Sequence, residues 1–214
     1  MAPHECLSCG QEGLLVCGLC APEVFEEVPD RCYRCLAMSM DSAVCIKCRR
    51  TSPLKHVWVA TEYDGISKRL VSLMKFDRAK AAAQPIASHM ASTLPYLDTS
   101  IIVTHLPTAT ARQRSRGYDQ SELIARKIAR LKEVKYSPLL LRRGQGRQVG
   151  ASRQQRIKQA TGMFLPFKPQ SIKGAHILLV DDILTTGASL ESAAKTLKLA
   201  GAKQVDAIVF AQKH

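Results

Sequence analysis

Eight cysteines lie in the first quarter of this 214-residue chain, and their spacing limits how that part can fold. They form four Cys-x2-Cys pairs separated by seven, eleven and nine residues: Cys6, Cys9, Cys17, Cys20, Cys32, Cys35, Cys45 and Cys48. Each pair can place two thiolates on one metal ion, and two pairs complete the tetrahedral four-cysteine site that Zn²⁺ prefers. The spacing therefore predicts two structural zinc sites within residues 1–50, with no cysteine left over.

The pattern leaves the pairing and the metal open. Sequential pairing is the simplest arrangement, interleaved pairing is the alternative, and an iron–sulfur cluster also takes four cysteines. Because a four-cysteine site has no open ligand position, we expect a structural or docking role rather than catalysis. The segment is slightly acidic, with seven acidic against five basic residues, which argues against its gripping phosphates alone.

The N-terminus lacks the basic and apolar regions of a secretory signal. No run of residues approaches the roughly 18 apolar positions that a membrane span needs. We therefore expect a cytoplasmic protein without membrane insertion, in which clustered cysteines bind metal more often than they form disulfides.

Residues 54–214 alternate between short apolar runs and apolar residues at helical spacing. Strands are predicted at 57–63, 101–103, 139–141, 176–180 and 205–210. Helices are predicted around 66–74, 83–90, 123–131 and 190–197. The alternation predicts an α/β domain whose mostly parallel sheet is flanked by helices, after a boundary near residues 51–53.

Positive charge is concentrated in one part of this domain. The chain has a net charge of +13, and residues 111–160 hold 14 basic and 3 acidic residues, a balance of +11. Such a surface favours a polyanion as partner, either nucleic acid or a polyphosphorylated small molecule, and a solvated basic face is the alternative. Residues 142–160 contain few apolar residues and predict a long functional loop.

The most specific motif is Ile-Leu-Leu-Val-Asp-Asp-Ile-Leu-Thr-Thr-Gly-Ala-Ser at 177–189. It predicts a buried strand that ends at two carboxylates, then a turn, then a helix. Backbone N–H groups, hydroxyls and a helix N-terminus suit a phosphate, and the carboxylates can reach ribose hydroxyls or Mg²⁺. The predicted ligand-binding residues are Asp181, Asp182, Thr185, Thr186, Gly187, Ala188 and Ser189.

This string resembles the 5-phosphoribosyl 1-pyrophosphate (PRPP) motif of type I phosphoribosyltransferases, with Ser189 where Thr is usual. The whole chain resembles the ComF family, competence-associated proteins related to amidophosphoribosyltransferases that join a cysteine module to a phosphoribosyltransferase domain. Further matching segments are 63–65 with 75–76, 116–120 with Asp119 in place of Asn, and 148–150 with Ser152 and Arg156.

The resemblance implies a type I phosphoribosyltransferase fold over residues 54–214, behind a double zinc-ribbon-like module at 1–50. It implies magnesium-bound PRPP or another ribose 5-phosphate compound as ligand, with Asp181 and Asp182 acting in catalysis. By position, the pyrophosphate loop comprises Thr108, Ala109 and Arg112. The flexible hood and its basic neighbours comprise Arg116, Gln120, Arg142, Arg143, Arg147, Gln148 and Arg156.

Two functions remain open at this point. The first is Mg²⁺-dependent phosphoribosyl transfer to an acceptor that no segment identifies, linked by the resemblance to DNA uptake in natural transformation. The second is a non-catalytic factor that binds or processes single-stranded DNA and works with the uptake machinery. Aromatic residues make up only 5% of the chain, which offers few platforms for base stacking. His105 and His176 are interpreted as core or strand-end residues rather than general bases.

Overall fold

The computed structural model describes residues 4–143 and 162–213. Its strands are β1 (Val57–Glu62), β2 (Ile102–His105), β3 (Lys135–Tyr136), β4 (Leu140–Arg142), β5 (Phe164–Pro166), β6 (His176–Leu184) and β7 (Gln204–Gln212). Its α-helices are α1 (Ala21–Val24), α2 (Gly65–Phe76), α3 (Ala83–Thr93), α4 (Thr110–Arg116), α5 (Gln120–Leu131), α6 (Pro169–Ile172) and α7 (Ala188–Leu199). A 3-10 turn, Lys80–Ala82, leads into α3.

Five of these strands form one parallel sheet in the order β1-β7-β6-β2-β3. The two central strands, β6 and β7, are nine residues long and largely buried, as expected for strands covered by helices on both faces. The predicted α/β fold with a mostly parallel sheet is therefore confirmed. Because parallel strands share their direction, the turns that follow β2 and β6 meet at one edge of the sheet.

The two faces of the sheet bury separate apolar clusters, and each cluster includes or contacts three cysteines of one four-cysteine group. On one face, residues of α2, α3 and α5 pack with the segment from Cys6 to Phe25, whose phenyl ring stacks on His89 at 4.3 Å. On the other face, α7, β4 and β5 pack with Cys32, Tyr33 and residues up to 54. The sheet thus lies between the two cysteine groups.

The predicted helices correspond to α2, α3, α5 and α7, and Asp119 caps α5 by accepting the Glu122 N–H. Several details differ from expectation. The strand predicted at 139–141 pairs antiparallel with β5, outside the parallel sheet. The two-residue strand β3 was not predicted, because two residues carry no periodicity. The helix α4 was not predicted either, since its seven residues carry no apolar stripe.

The strand predicted at 176–180 continues to Leu184, so the prediction that it ends at Asp181 and Asp182 is wrong. The partner strand β7 is long enough to extend the ladder, with Asp181 opposite Val209 and Leu184 opposite Gln212. Both carboxylates therefore belong to a paired strand, in which neighbouring side chains alternate between the two faces.

Among the described residues, no helix has the length and apolarity needed to cross a bilayer. The predicted loop at 142–160 lies outside the described residues apart from its first two positions.

Candidate functional site

A tight turn joins the central strand β6 to helix α7. Gly187 precedes the helix with φ of +71°, in the left-handed region that a residue without Cβ adopts at least cost. The Thr186 Oγ1 accepts a hydrogen bond from the Ala188 N–H at 3.4 Å. The first turn of α7 leaves backbone N–H groups without helical partners, and they carry the positive end of the helix dipole. The predicted residues Thr185 to Ser189 therefore lie together at a turn and helix N-terminus whose backbone geometry suits an anion.

The two carboxylates before this turn are held by different helices. The Asp181 Oδ1 accepts hydrogen bonds from the Ser121 Oγ of α5 at 3.1 Å and from the Asp182 N–H at 2.9 Å. The Asp182 Oδ2 forms an ion pair with the Lys75 Nζ of α2 at 2.8 Å. Burial of the carboxyl, reinforced by the neighbouring Asp182 charge, raises the pKa of Asp181 to about 8. One carboxyl thus hydrogen-bonds to α5, and the other pairs with the Lys75 ammonium group of α2.

The predicted pyrophosphate loop is held in place by the motif at 116–120. The Thr108 N–H donates to the Asp119 Oδ2 at 2.7 Å, and the Thr108 Oγ1 donates to the Asp119 Oδ1 at 3.2 Å. The Thr108 Oγ1 also contacts the Gln120 Oε1 at 3.4 Å. The Gln120 side chain is buried, and its Nε2 has no hydrogen-bond partner among the described residues. A buried amide donor without a partner is costly unless a ligand satisfies it.

Two arginines of the predicted site, Arg116 and Arg142, each lie within electrostatic range of a third, Arg112. Burial and the charge of Arg112 lower the pKa of Arg116, against the attraction of Asp182. Burial and Arg112 likewise lower the pKa of Arg142, against the attraction of Asp181. An anion bound among these side chains would relieve this repulsion.

The remaining hood residues are distributed differently. Arg142 donates from its Nη1 to the Pro107 carbonyl at 3.3 Å, which ties β4 to the pyrophosphate loop. The Arg143 N–H donates to the Met163 carbonyl at 2.9 Å. Three predicted residues lie outside the described part of the chain: Arg147, Gln148 and Arg156.

Neither of the two histidines considered from the sequence reaches the turn after β6. His105 is buried, and its Nδ1 bonds to the Tyr136 hydroxyl at 2.9 Å. His176 begins β6 at the opposite edge of the sheet, where its Nε2 contacts the Asp206 carboxylate at 2.6 Å. Burial opposes ionisation of Asp206, but hydrogen bonds from His56, Gln204 and His176 prevail and lower its pKa. Both histidines therefore belong to side-chain hydrogen-bond networks away from the turn after β6.

The cysteines form two groups in the sequential arrangement, Cys6 to Cys20 and Cys32 to Cys48. Within each group the four Sγ atoms lie within 4.8 Å of one another. Backbone N–H groups of Cys9 and Cys17 lower the pKa of Cys6 to about 6. Burial opposes the same effect at Cys32, but the N–H groups of Cys45, Arg34 and Cys35 still lower that pKa to about 7. Converging thiols of which one favours the thiolate fit a structural zinc ion.

Sequence reasoning missed several residues that the fold brings to the site. The sequence singles out Lys75 only through the resemblance, and Ser121 is not among the predicted site residues. Tyr33 and Arg34 meet Glu191 next to Gly187, although they lie 158 and 157 residues away from that glutamate in sequence. No local pattern links positions so far apart.

Comparisons with known proteins identify the family to which the α/β domain is similar. The phosphoribosyl transferase domain family matches residues 81–214. The competence protein ComFC of Bacillus subtilis (strain 168) is 28% identical over 137 residues, which span 63% of this chain and 55% of that protein. The DNA utilization protein YhgH of Salmonella typhi is 25% identical over 206 residues, which cover 89% of this chain and 87% of that protein.

Among solved structures, the glutamine PRPP amidotransferase of B. subtilis complexed with ADP and GMP is 18% identical, with a TM-score of 0.42 over 59% of this chain and 26% of that one. The family match covers more than half of the chain and includes β6, its carboxylates and the turn that follows. This chain belongs to the phosphoribosyltransferase domain family.

Proposed function

We propose that the turn between β6 and α7 binds the 5-phosphate of PRPP or of another ribose 5-phosphate compound. One observation carries the proposal: the glycine turn at the N-terminus of α7 follows two carboxylates that lie within electrostatic range of Arg116 and Arg142, and Arg112 repels both of these arginines. Backbone N–H groups at a helix N-terminus suit the single phosphate. Arginines, which bind phosphate oxygens in pairs of hydrogen bonds, suit the pyrophosphate.

The carboxylates and the pyrophosphate loop complete the proposed assignment. Asp181 and Asp182 are suited to the ribose hydroxyls and to a magnesium ion, which binds oxygen ligands and neutralises phosphate charge. Thr108, held by Asp119, lies just before α4, the helix that carries Arg112, so the structure corrects the prediction that Arg112 belongs to the loop itself. The free Gln120 Nε2 would donate to the bound pyrophosphate. If transfer occurs, the bond between ribose C1 and pyrophosphate breaks as a nucleophilic atom of the acceptor bonds to C1, and the arginines stabilise the charge of the departing pyrophosphate.

We further propose that this site serves DNA handling in the cytoplasm. Relatives whose names refer to competence and to DNA utilization support the process, and the excess of basic residues at 111–160 supports a contact with single-stranded DNA. Converging thiols suit a reducing compartment. If the basic side chains contact phosphates, DNA affinity falls steeply with salt, and Arg112→Ala or Arg116→Ala weakens it. Affinity that is unchanged in both variants would remove DNA from the proposal.

The experiment for the ribose-phosphate site is calorimetric titration of PRPP with Mg²⁺ into the zinc-loaded protein. We expect binding in the wild type and at least a tenfold loss in the variant Asp181→Asn/Asp182→Asn. Asp98→Asn is the matched control, because this exposed carboxylate precedes β2 at the opposite edge of the sheet. Absence of binding in the wild type, or equal binding in the carboxylate variant and the control, would contradict the proposal.

A further inference from the structure

The two residues between Cys32 and Cys35 contact the helix that follows the proposed phosphate turn. The Tyr33 hydroxyl donates to the Glu191 Oε1 at 2.9 Å. The Arg34 Nε forms an ion pair with the same oxygen, and both side chains of that pair are partly buried. Glu191 lies in the first turn of α7, so this knuckle of the second cysteine group reaches the N-terminal end of α7 directly.

The ring of Tyr33 also covers Gly187. A Cβ atom added to Gly187 would lie 3.1 Å and 3.2 Å from two carbons of the ring, closer than ordinary van der Waals contact. The Glu191 N–H in turn donates to the Gly187 carbonyl at 2.9 Å. The knuckle therefore contacts the turn at two points, the glycine itself and the residue that hydrogen-bonds to it.

The charge of Arg34 has a second consequence. Glu191 places a carboxylate within one helical turn of the N–H groups proposed to bind phosphate, and an uncompensated carboxylate there would repel the ligand. The Arg34 guanidinium neutralises that charge while remaining tied to the cysteine group, through hydrogen bonds to the Thr51 Oγ1 at 2.7 Å and the Cys48 carbonyl at 3.4 Å.

We propose that Tyr33 and Arg34 are positioning residues through which metal at the second cysteine group orders the phosphate turn. The inference rests on the proposed phosphate site and adds its regulation. Metal bound to the four thiolates holds the knuckle in the shape that presses the ring onto Gly187 and pairs Arg34 with Glu191. Loss of that metal frees the knuckle, and the turn loses both contacts. The first cysteine group, on the other face of the sheet, is not part of this connection.

The first test compares one cysteine variant in each group. Cys35→Ser and Cys9→Ser replace equivalent exposed cysteines, each the second of its group. Metal content is measured by elemental analysis, and exchange of the amide hydrogens of residues 185–191 is followed without ligand. We expect Cys35→Ser to accelerate that exchange at least tenfold and Cys9→Ser to leave it within twofold of wild type. Equal effects of the two variants, or none from Cys35→Ser, would overturn the proposal.

The second test keeps every cysteine in place and so avoids loss of the fold with the metal. Tyr33→Ala removes the ring from Gly187 and is expected to weaken PRPP binding at least tenfold with both metal ions retained. Tyr33→Phe keeps the ring and loses only the hydroxyl, so affinity within threefold of wild type is expected. Equal affinities of Tyr33→Ala and wild type would overturn the positioning role. If the wild type binds no PRPP, the proposed function fails, while the exchange experiment still decides the coupling.

Discussion

Replacement of Gly187 by alanine tests the contact between the second cysteine group and the proposed phosphate turn. An alanine there must adopt a φ of about +71°, which costs an L-residue about 1–2 kcal/mol. Its Cβ also meets the Tyr33 ring at 3.1 Å, and forcing that ring aside adds about 1–3 kcal/mol, as in other overpacked sites. We therefore expect Gly187→Ala to lower the free energy of unfolding by about 2–5 kcal/mol.

Gly174 offers a matched control for the backbone part of this cost. Its φ is +75°, yet nothing lies within 4 Å of an added Cβ, so Gly174→Ala is expected to lose only about 1–2 kcal/mol. The assay is urea unfolding followed by the fluorescence of Trp58, the only tryptophan. Because contacts between neighbours are not additive, the extra cost of Gly187→Ala should vanish in a Tyr33→Ala background. Equal losses in the two glycine variants would refute the contact.

Three further changes probe the fold around the site. Asp206→Asn should cost about 1–3 kcal/mol at pH 7, because it breaks a buried charged network. Since the pKa of Asp206 is lowered in the folded state, its contribution exists above the unfolded pKa of about 4 and is lost as pH falls through the folded value. Urea titrations at pH 7 and pH 3 should therefore show a smaller difference between wild type and variant at pH 3; a constant difference contradicts this. Phe25→Ala should lower the free energy of unfolding by about 3–5 kcal/mol in the same assay, because the ring is buried between the first cysteine group and the sheet. A loss below about 1 kcal/mol would show that the ring is not packed there. Asp119→Ala should lower the free energy of unfolding by about 1–2 kcal/mol, because α5 loses its N-terminal cap, and should weaken PRPP binding. Asp119→Asn should keep most of the capping energy. Equal losses of unfolding free energy in the two variants would exclude the capping role.

The parts of the fold that the sequence predicts are those in which neighbouring residues carry the signal. The string at 177–189 contains its strand, turn and helix start in one run, so the residues themselves predict the turn at Gly187. The sequential grouping of the cysteines follows only from the fold, because their spacing allows both pairings. The prediction that this strand ends at Asp181 is wrong because the extent of the strand depends on the length of β7.

Contacts between distant positions lay beyond sequence reasoning. Tyr33 and Glu191 are 158 residues apart, and the sequence around neither residue predicts a contact with the other. Asp206 reads as one polar position in an apolar strand, and only the fold shows the two histidines beside it. Such partners are set by how helices and strands pack, which a single sequence does not encode in any short pattern.

The most direct test of the ribose-phosphate site is an amide spectrum of protein labelled with ¹⁵N-glycine. The chain has 12 glycines, so few signals are expected, and the Gly187 signal is identified by its loss in Gly187→Ala. On addition of PRPP with Mg²⁺, we expect the largest shift in the amide signal of Gly187. We expect no shift in that of Gly174, which precedes β6 at the opposite edge of the sheet. A Gly187 signal that stays in place while PRPP is present at saturating concentration would show that the turn between β6 and α7 does not bind PRPP.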